Sequence, residues 1–257
     1  MTTNQPQYDN IASKYFETDF CASVENYTFR HLMLGPLLDE HGLLTGKRVL
    51  DLACGYGLYT RELKALNCAY ILGVDISSEM IKLARDIELK DPKGIDYMVV
   101  NAKDVPLPEK PYDLVTACYL LCYARTRGEL LEMVRMIYAQ LGENKHFIGI
   151  TDNVAGDRDV FDNRKYGVFK QVKIPLDEGP IPDGTEVFVT FYNKQDEPLC
   201  TVTNYHLSPR TYEQVFKEAG FRAFRWVPFQ CDSNVPNKEL YEDLIKSPNG
   251  IGIVATK

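Results

Sequence analysis

The chain has 257 residues, with 29 Lys+Arg against 36 Asp+Glu, a formal charge of −7 and a pI near 5.2. At roughly 100–200 residues per domain this is one large domain or two small ones, and 45% hydrophobic with 25% charged residues excludes disordered and fibrous classes. With no Lys/Arg run longer than two, the chain lacks the electrostatic footprint of a general nucleic-acid binder, so no nucleic-acid partner is expected and small molecules are.

The first ten residues are polar and show no basic-then-apolar signal pattern. Ile11, Ala12, Tyr15 and Phe16 recur at helical spacing, so residues 1–40 are expected to supply lid helices. Two readings stand for this piece: a lid closing over a bound ligand through Tyr8 and Tyr15, or a helix docked on a sheet edge. Short β-rich runs follow at Arg48–Ala53, Tyr70–Ile76, Tyr97–Ala102, Tyr112–Tyr119 and Phe147–Thr151. Helical patterns at Ser77–Glu88 and Gly128–Leu141 separate some of them, with Ser77 a candidate N-cap. This βαβα rhythm predicts a mostly parallel sheet with helices on both faces and a ligand outside the strand carboxyl ends.

From Val154 to Leu207 the rhythm changes. Tyr166–Ile174, Val187–Tyr192 and Leu199–His206 read as antiparallel strands of a β cap inserted after the fifth strand, with Pro182-Asp183-Gly184 as a turn. Ser208-Pro209 opens a helix that Gly220 stops, and Phe224–Phe229 with Gly250–Ala255 return to the sheet. The fold expected is therefore α/β: a single domain over 1–257 with a cap at 154–207. Seven scattered cysteines, none in C-x-x-C spacing, point away from disulfides and zinc, and no metal is expected. The longest apolar stretch, Leu114 to Ala124, is shorter than the ~20 residues a membrane span needs, so no membrane partner and a cytoplasmic location are expected.

The informative stretch is Asp51-Leu52-Ala53-Cys54-Gly55-Tyr56-Gly57, a strand running through Gly-x-Gly into a helix. Glycines let backbone approach a ligand closely, although a bare Gly-x-Gly also serves as a tight turn. Thr60 stands where a dinucleotide fingerprint has Gly or Ala, and Asp51 would repel a pyrophosphate, so a nucleoside without phosphates is the better ligand. Asp75 ends the next strand, placed either to hold a ribose diol or to cap the helix after it.

Asp51-x-Ala53-Cys54-Gly55-x-Gly57, Asp75-Ile76-Ser77 with Met80, Asn101-Ala102 and Tyr112-Asp113-Leu114-Val115 together resemble the ordered motifs of class I S-adenosylmethionine-dependent methyltransferases. Tyr8-Asp9-x-Ile11-Ala12-x-x-Tyr15, Glu25-x-x-Thr28-Phe29 and Tyr119-Leu120-Leu121-x-Tyr123-Ala124 resemble the toxoflavin-synthase-like small-molecule methyltransferases. The resemblance covers residues 8–152 and implies a Rossmann-like seven-stranded sheet. It places Ala53, Gly55 and Gly57 at the methionine part of S-adenosyl-L-methionine and Asp51 near its ammonium. It also places Asp75 on the ribose, Ile76 and Met80 on the adenine face, and Asn101-Ala102 at the adenine edge. Many relatives have Asp at the Asn101 position, and an amide oxygen can accept the same bond. Cys118 and Tyr119 would face the transferable methyl, with S-adenosyl-L-homocysteine as product.

Methyl transfer is an in-line displacement that needs alignment and water exclusion. Tyr15, Tyr119 and His206 are the catalytic candidates. His206 is the candidate general base, with a structural histidine as the other reading. Tyr119 and Tyr123 either face substrate or pack as ordinary amphipathic rings, and Asp152 and Asn153 either bond the acceptor or satisfy loop backbone. The acceptor expected is a nitrogen of a heterocycle or amine. O-methylation of a carboxylate or phenol, a nicotinamide-dependent oxidoreductase and a non-catalytic cofactor-binding protein are the alternatives.

Overall fold

The structure, a computed structural model, describes residues 6–16, 23–154, 162–172, 180–232, 241–246 and 248–257. The main sheet contains β1 (Arg48–Leu52), β2 (Tyr70–Asp75), β3 (Asp96–Val99), β4 (Tyr112–Cys118), β5 (Leu141–Asp152), β10 (Ala223–Val227) and β11 (Gly250–Thr256). Its order is β10-β11-β5-β4-β1-β2-β3. The five strands from β5 to β3 are parallel, whereas β11 is antiparallel to both β5 and β10. The chain leaves β1 toward β2 and β3 and then returns to lay β4 on the other side of β1. That reversal opens a crevice above the carboxyl ends of β1 and β4.

The strands are buried on both faces, which is why they read as nearly continuous apolar runs. Leu50, Leu52, Val74, Val115 and Phe147 meet α5 (Arg127–Gln140) and α6 (Pro209–Ala219) through Leu130, Val134, Ile137, Val215 and Phe216. On the other face, Val49, Ile71, Leu114 and Ile148 meet α3 (Leu58–Ala65) and α4 (Ser78–Lys90) through Leu63, Ile81 and Ala84. Phe29 and Met33, from the wide helical turn Thr28–Leu34, complete that layer. The α4 start is as expected: the Ser77 hydroxyl accepts from the Met80 amide at 3.2 Å. At α6, Pro209 and left-handed Gly220 delimit the helix, while the Ser208 hydroxyl turns to Thr211 instead of capping.

A second, antiparallel sheet, β6 (Asp162–Asn163), β7 (Val168–Val172), β8 (Thr185–Tyr192) and β9 (Pro198–His206), stands between β5 and α6. Val168, Val172, Val187, Val189 and Val202 make its apolar face. The expected strand Tyr166–Ile174 is shorter: Tyr166 sits in a 3-10 turn, and Ile174 lies outside the described residues. The expected strand Tyr97–Ala102 also stops early, because the Asn101 side chain accepts from the Lys103 amide and opens a 3-10 turn at Ala102. The seven-stranded sheet and antiparallel cap match the expected fold. Among the described residues no helix is long and apolar enough to cross a membrane.

Candidate active site

The glycine loop crosses the carboxyl end of β1 with Ala53, Gly55 and Gly57 all at positive φ (53°, 55° and 84°). Left-handed Ala53 and Tyr119 (φ 60°) follow β1 and β4, so uncommon non-glycine backbone gathers at the crevice. A Cβ on Gly55 would meet nothing within 4 Å, which leaves an open cradle above the loop. Gly57 is different. A Cβ there would stand 2.3 Å from the Tyr97 hydroxyl, and one on Gly73 would lie 2.8 Å from the same ring. Gly57 thus admits the Tyr97 side chain of β3, a packing role beside the turn and ligand readings of the loop.

Asp51 is 2% exposed beneath the loop, and its oxygens accept from the Thr60 and Thr116 hydroxyls at 2.6 and 2.7 Å. Thr60 therefore serves as the partner of Asp51 rather than as a defective dinucleotide glycine. Burial pushes the Asp51 carboxyl up to about 6. With one threonine hydroxyl on each oxygen, the buried Asp51 carboxyl anchors the loop from below.

Asp75 faces the cradle. Its Oδ2 accepts from the Gly55 amide and its Oδ1 from the Ser77 amide, both at 2.9 Å. The bond to the Ser77 amide steadies the turn into α4, and an ionised carboxylate keeps further lone pairs after accepting two backbone bonds. Ile76 next to it is 45% exposed and offers an open apolar platform. Met80 and Ala102 do not: at 2% and 8% exposure their side chains belong to the interior, which corrects the expectation that Met80 packs on a ligand. The Asn101 amide oxygen is half-buried and holds the Lys103 amide.

The segment before and including α1 (Ala12–Phe16) straps the cap to this cradle. Gln7 exchanges two hydrogen bonds with the Thr203 backbone of β9 (3.0 and 2.7 Å). Two residues on, Asp9 Oδ1 accepts from the Ser77 hydroxyl at 2.6 Å, beside Asp75. Between those anchors the Tyr123 hydroxyl donates to that of Tyr8 at 3.0 Å, and Tyr15 packs edge-on against Tyr8 and Phe191 with centroids 5.1 and 5.0 Å away. Tyr56 of the glycine loop lies 6.5 Å from Tyr15. The segment is thus docked on the edge of the cap sheet and reaches the Ser77 side of the cradle.

Glu25, on α2 (Ser23–Tyr27), is a site residue that sequence reasoning left without a role. It is 3% exposed, and burial pushes its carboxyl up although the Tyr59 and Tyr119 hydroxyls both donate to it, the latter at 2.8 Å. Its signal was its spacing: Glu25 stands four residues before buried Phe29, on an inward stripe.

A small cavity of about 30 Å³ lies between cap and main sheet, with Cys122, Asp152, Asn153, Lys170 and His206 in its wall. Lys170, 5% exposed, reaches Asp152 Oδ1 at 2.6 Å and the Asn249 carbonyl, and Asn204 donates to Asp152 Oδ2 at 2.7 Å. Asp152 thus ties the cap to the sheet. Asn153 donates to the Pro248 carbonyl, the loop-satisfying role. Burial holds the His206 ring below its ordinary basicity despite nearby Asp183 and Asp152. The Cys118 and Cys122 thiols are pushed up by burial and act as small packing groups. The three catalytic candidates fall in three neighbouring clusters: Tyr15 with Tyr8 and Phe191, Tyr119 with Glu25 and Tyr59, and His206 in the cavity wall.

A family described as a methyltransferase domain matches residues 49–144, the stretch from β1 to the start of β5. The match makes residues 49–144 similar to a methyltransferase domain and covers less than half of the chain. The chain is 35% identical over 92 residues to a ubiquinone biosynthesis O-methyltransferase of Bordetella pertussis, covering 35% of this chain and 37% of the relative. The chain therefore aligns with little more than a third of that relative's length. The whole fold is similar to that of solved S-adenosylmethionine-dependent methyltransferases. One, from Mesorhizobium loti, is 21% identical with a TM-score of 0.60, over 87% of this chain and 95% of the other. Another, from Clostridium acetobutylicum, is 16% identical with a TM-score of 0.61, over 97% and 95%. The chain's own residues fit the cofactor: an open cradle at Gly55, a carboxylate with free lone pairs at Asp75 and an exposed apolar platform at Ile76.

Proposed function

We propose that the protein transfers a methyl group from S-adenosyl-L-methionine to a small-molecule acceptor, probed best at a nitrogen of a heterocycle or amine. The observation that carries this reading is the open cradle at Gly55 beside Asp75, inside the stretch similar to a methyltransferase domain. The Ala53–Gly57 backbone would hold the methionine part, Asp75 the ribose diol and Ile76 one face of the adenine, with the Asn101-Ala102 backbone at its edge. Bound there, the cofactor supplies an electrophilic methyl carbon on a sulfonium. The chain's part is then to align, to enclose and to receive a proton. Tyr8, Tyr15, Tyr56 and Phe191 enclose the crevice with rings whose faces suit a cation and whose bulk keeps water out. Tyr119, with its backbone fixed by a hydrogen bond to the Ile150 carbonyl at 2.7 Å, faces the acceptor side.

The cavity between cap and sheet is the proposed acceptor chamber. His206, kept neutral near pH 7 by burial, has a ring nitrogen able to take the acceptor's proton. A second reading, O-methylation of a phenol or carboxylate, is supported by the name of the Bordetella relative, although the match covers only 37% of that relative. Incubation of the protein with isotope-labelled methyl donor and a small-molecule extract, followed by mass spectrometry, tests the proposal. A labelled product whose fragments retain the methyl on nitrogen supports the leading reading, and methyl on oxygen supports the second. Binding of the donor with no labelled product from any extract favours a non-catalytic protein.

A further inference from the structure

Among the described residues no cation pairs with the buried carboxylate of Glu25. Its two hydrogen-bond donors, Tyr59 and Tyr119, are neutral hydroxyls, and no Lys, Arg or His among the described residues forms an ion pair with it. Lys170, the buried cation whose charge reaches it, is committed to Asp152 and the Asn249 carbonyl. Carboxylates removed from water are ordinarily paired or neutralised. Two tyrosine donors hold this one in a fixed place but leave its charge without a counter-ion.

That place is informative. Tyr59 is in the first turn of α3, directly after the glycine loop, and Tyr119 directly follows β4. The carboxylate is therefore suspended between the start of α3 and the turn after β4, the two elements that flank the cradle. We propose that Glu25 is a cation subsite for the methionine moiety of the cofactor, resting on the cofactor reading above. A methionine-derived sulfonium nucleoside carries two cations there, the α-ammonium and the sulfonium, and the carboxylate is the counter-charge to one of them. Tyr59 and Tyr119 keep the oxygens aimed and still leave each a lone pair for the ligand.

Isothermal titration of the full chain, wild type against Glu25→Gln, separates the possibilities. S-adenosylmethionine carries both cations, S-adenosylhomocysteine only the ammonium, and 5′-methylthioadenosine neither. Glu25→Gln is expected to weaken S-adenosylmethionine at least tenfold and to leave 5′-methylthioadenosine within twofold. An equal loss with S-adenosylhomocysteine assigns the ammonium, and an unchanged S-adenosylhomocysteine assigns the sulfonium. A variant that keeps S-adenosylmethionine affinity within twofold, or loses all three ligands alike, overturns the proposal in favour of a purely structural Glu25. Should Glu25→Gln fail to fold, Glu25→Asp, which withdraws the charge by one methylene, is read by the same pattern. A wild type that binds none of the three overturns the cofactor reading itself, whereas failure of the comparison alone overturns only the Glu25 subsite.

Discussion

Asp51 is buried under the glycine loop with a carboxyl raised from 3.8 to about 6, so its titration leaves a mark on stability. The folded value lies above the unfolded one. The contribution of this group is therefore fully present below pH 3.8 and is lost as pH rises through about 6. At about 1.4 kcal/mol per unit, a shift of roughly two units corresponds to about 3 kcal/mol. Replacement by Asn removes the titration while retaining an oxygen for one threonine hydroxyl. Subtracting the pH–stability curve of Asp51→Asn from that of the wild type cancels the other raised carboxyls, Asp75 and Glu25. The difference should fall by about 3 kcal/mol between pH 4 and 7, seen in thermal scans as roughly 6–12 °C for a chain of this length. A difference curve that is flat across that range refutes the argument that Asp51 sits desolvated beneath the loop with only two threonine hydroxyls for support.

Three further outcomes are expected. Asp75→Asn should weaken S-adenosylmethionine about tenfold or more, the loss of a charge-assisted bond worth roughly 1.5–3 kcal/mol, and titration calorimetry showing parental affinity would dissociate Asp75 from the ribose. Ser77→Ala removes both the α4 cap and the hydroxyl that holds Asp9, and should cost about 1–2 kcal/mol in urea unfolding; a change below a few tenths contradicts the capping role. Lys170→Met strands Asp152 without its cation and should cost about 3–5 kcal/mol, with faster hydrogen exchange in the cap strands than in β1, and an unaltered cap would show that the ion pair does not tie cap to sheet.

Local signals were legible in the sequence wherever the physics is local. The apolar runs of β1, β2 and β4, the Ser77 cap, the Pro209 start and the Gly220 stop each follow from residues within a few positions of one another. The glycine loop and Asp75 were legible for the same reason: a turn needs its glycines, and a strand end needs its polar residue. What escaped are contacts closed by the fold. Glu25 meets Tyr119 across 94 residues, and Lys170 meets the Asn249 carbonyl across 79. Lys170 alternates with Val168 and Val172 on the inward face of its strand, so a misplaced charge was visible but its partners were not. Met80 misled because one helical stripe cannot tell the interior from the rim of a crevice. The packing of Gly57 against Tyr97 stayed hidden because that ring arrives from a different strand.

Whether this cradle takes a sulfonium nucleoside is decided by thermal unfolding of the wild type with S-adenosylmethionine, S-adenosylhomocysteine and NADH in parallel. At about 100 times its dissociation constant a ligand adds roughly 2.7 kcal/mol. Stabilisation by the two sulfur nucleosides and not by NADH is the predicted result; stabilisation by NADH alone would contradict the reading of the loop from Asp51 to Thr60.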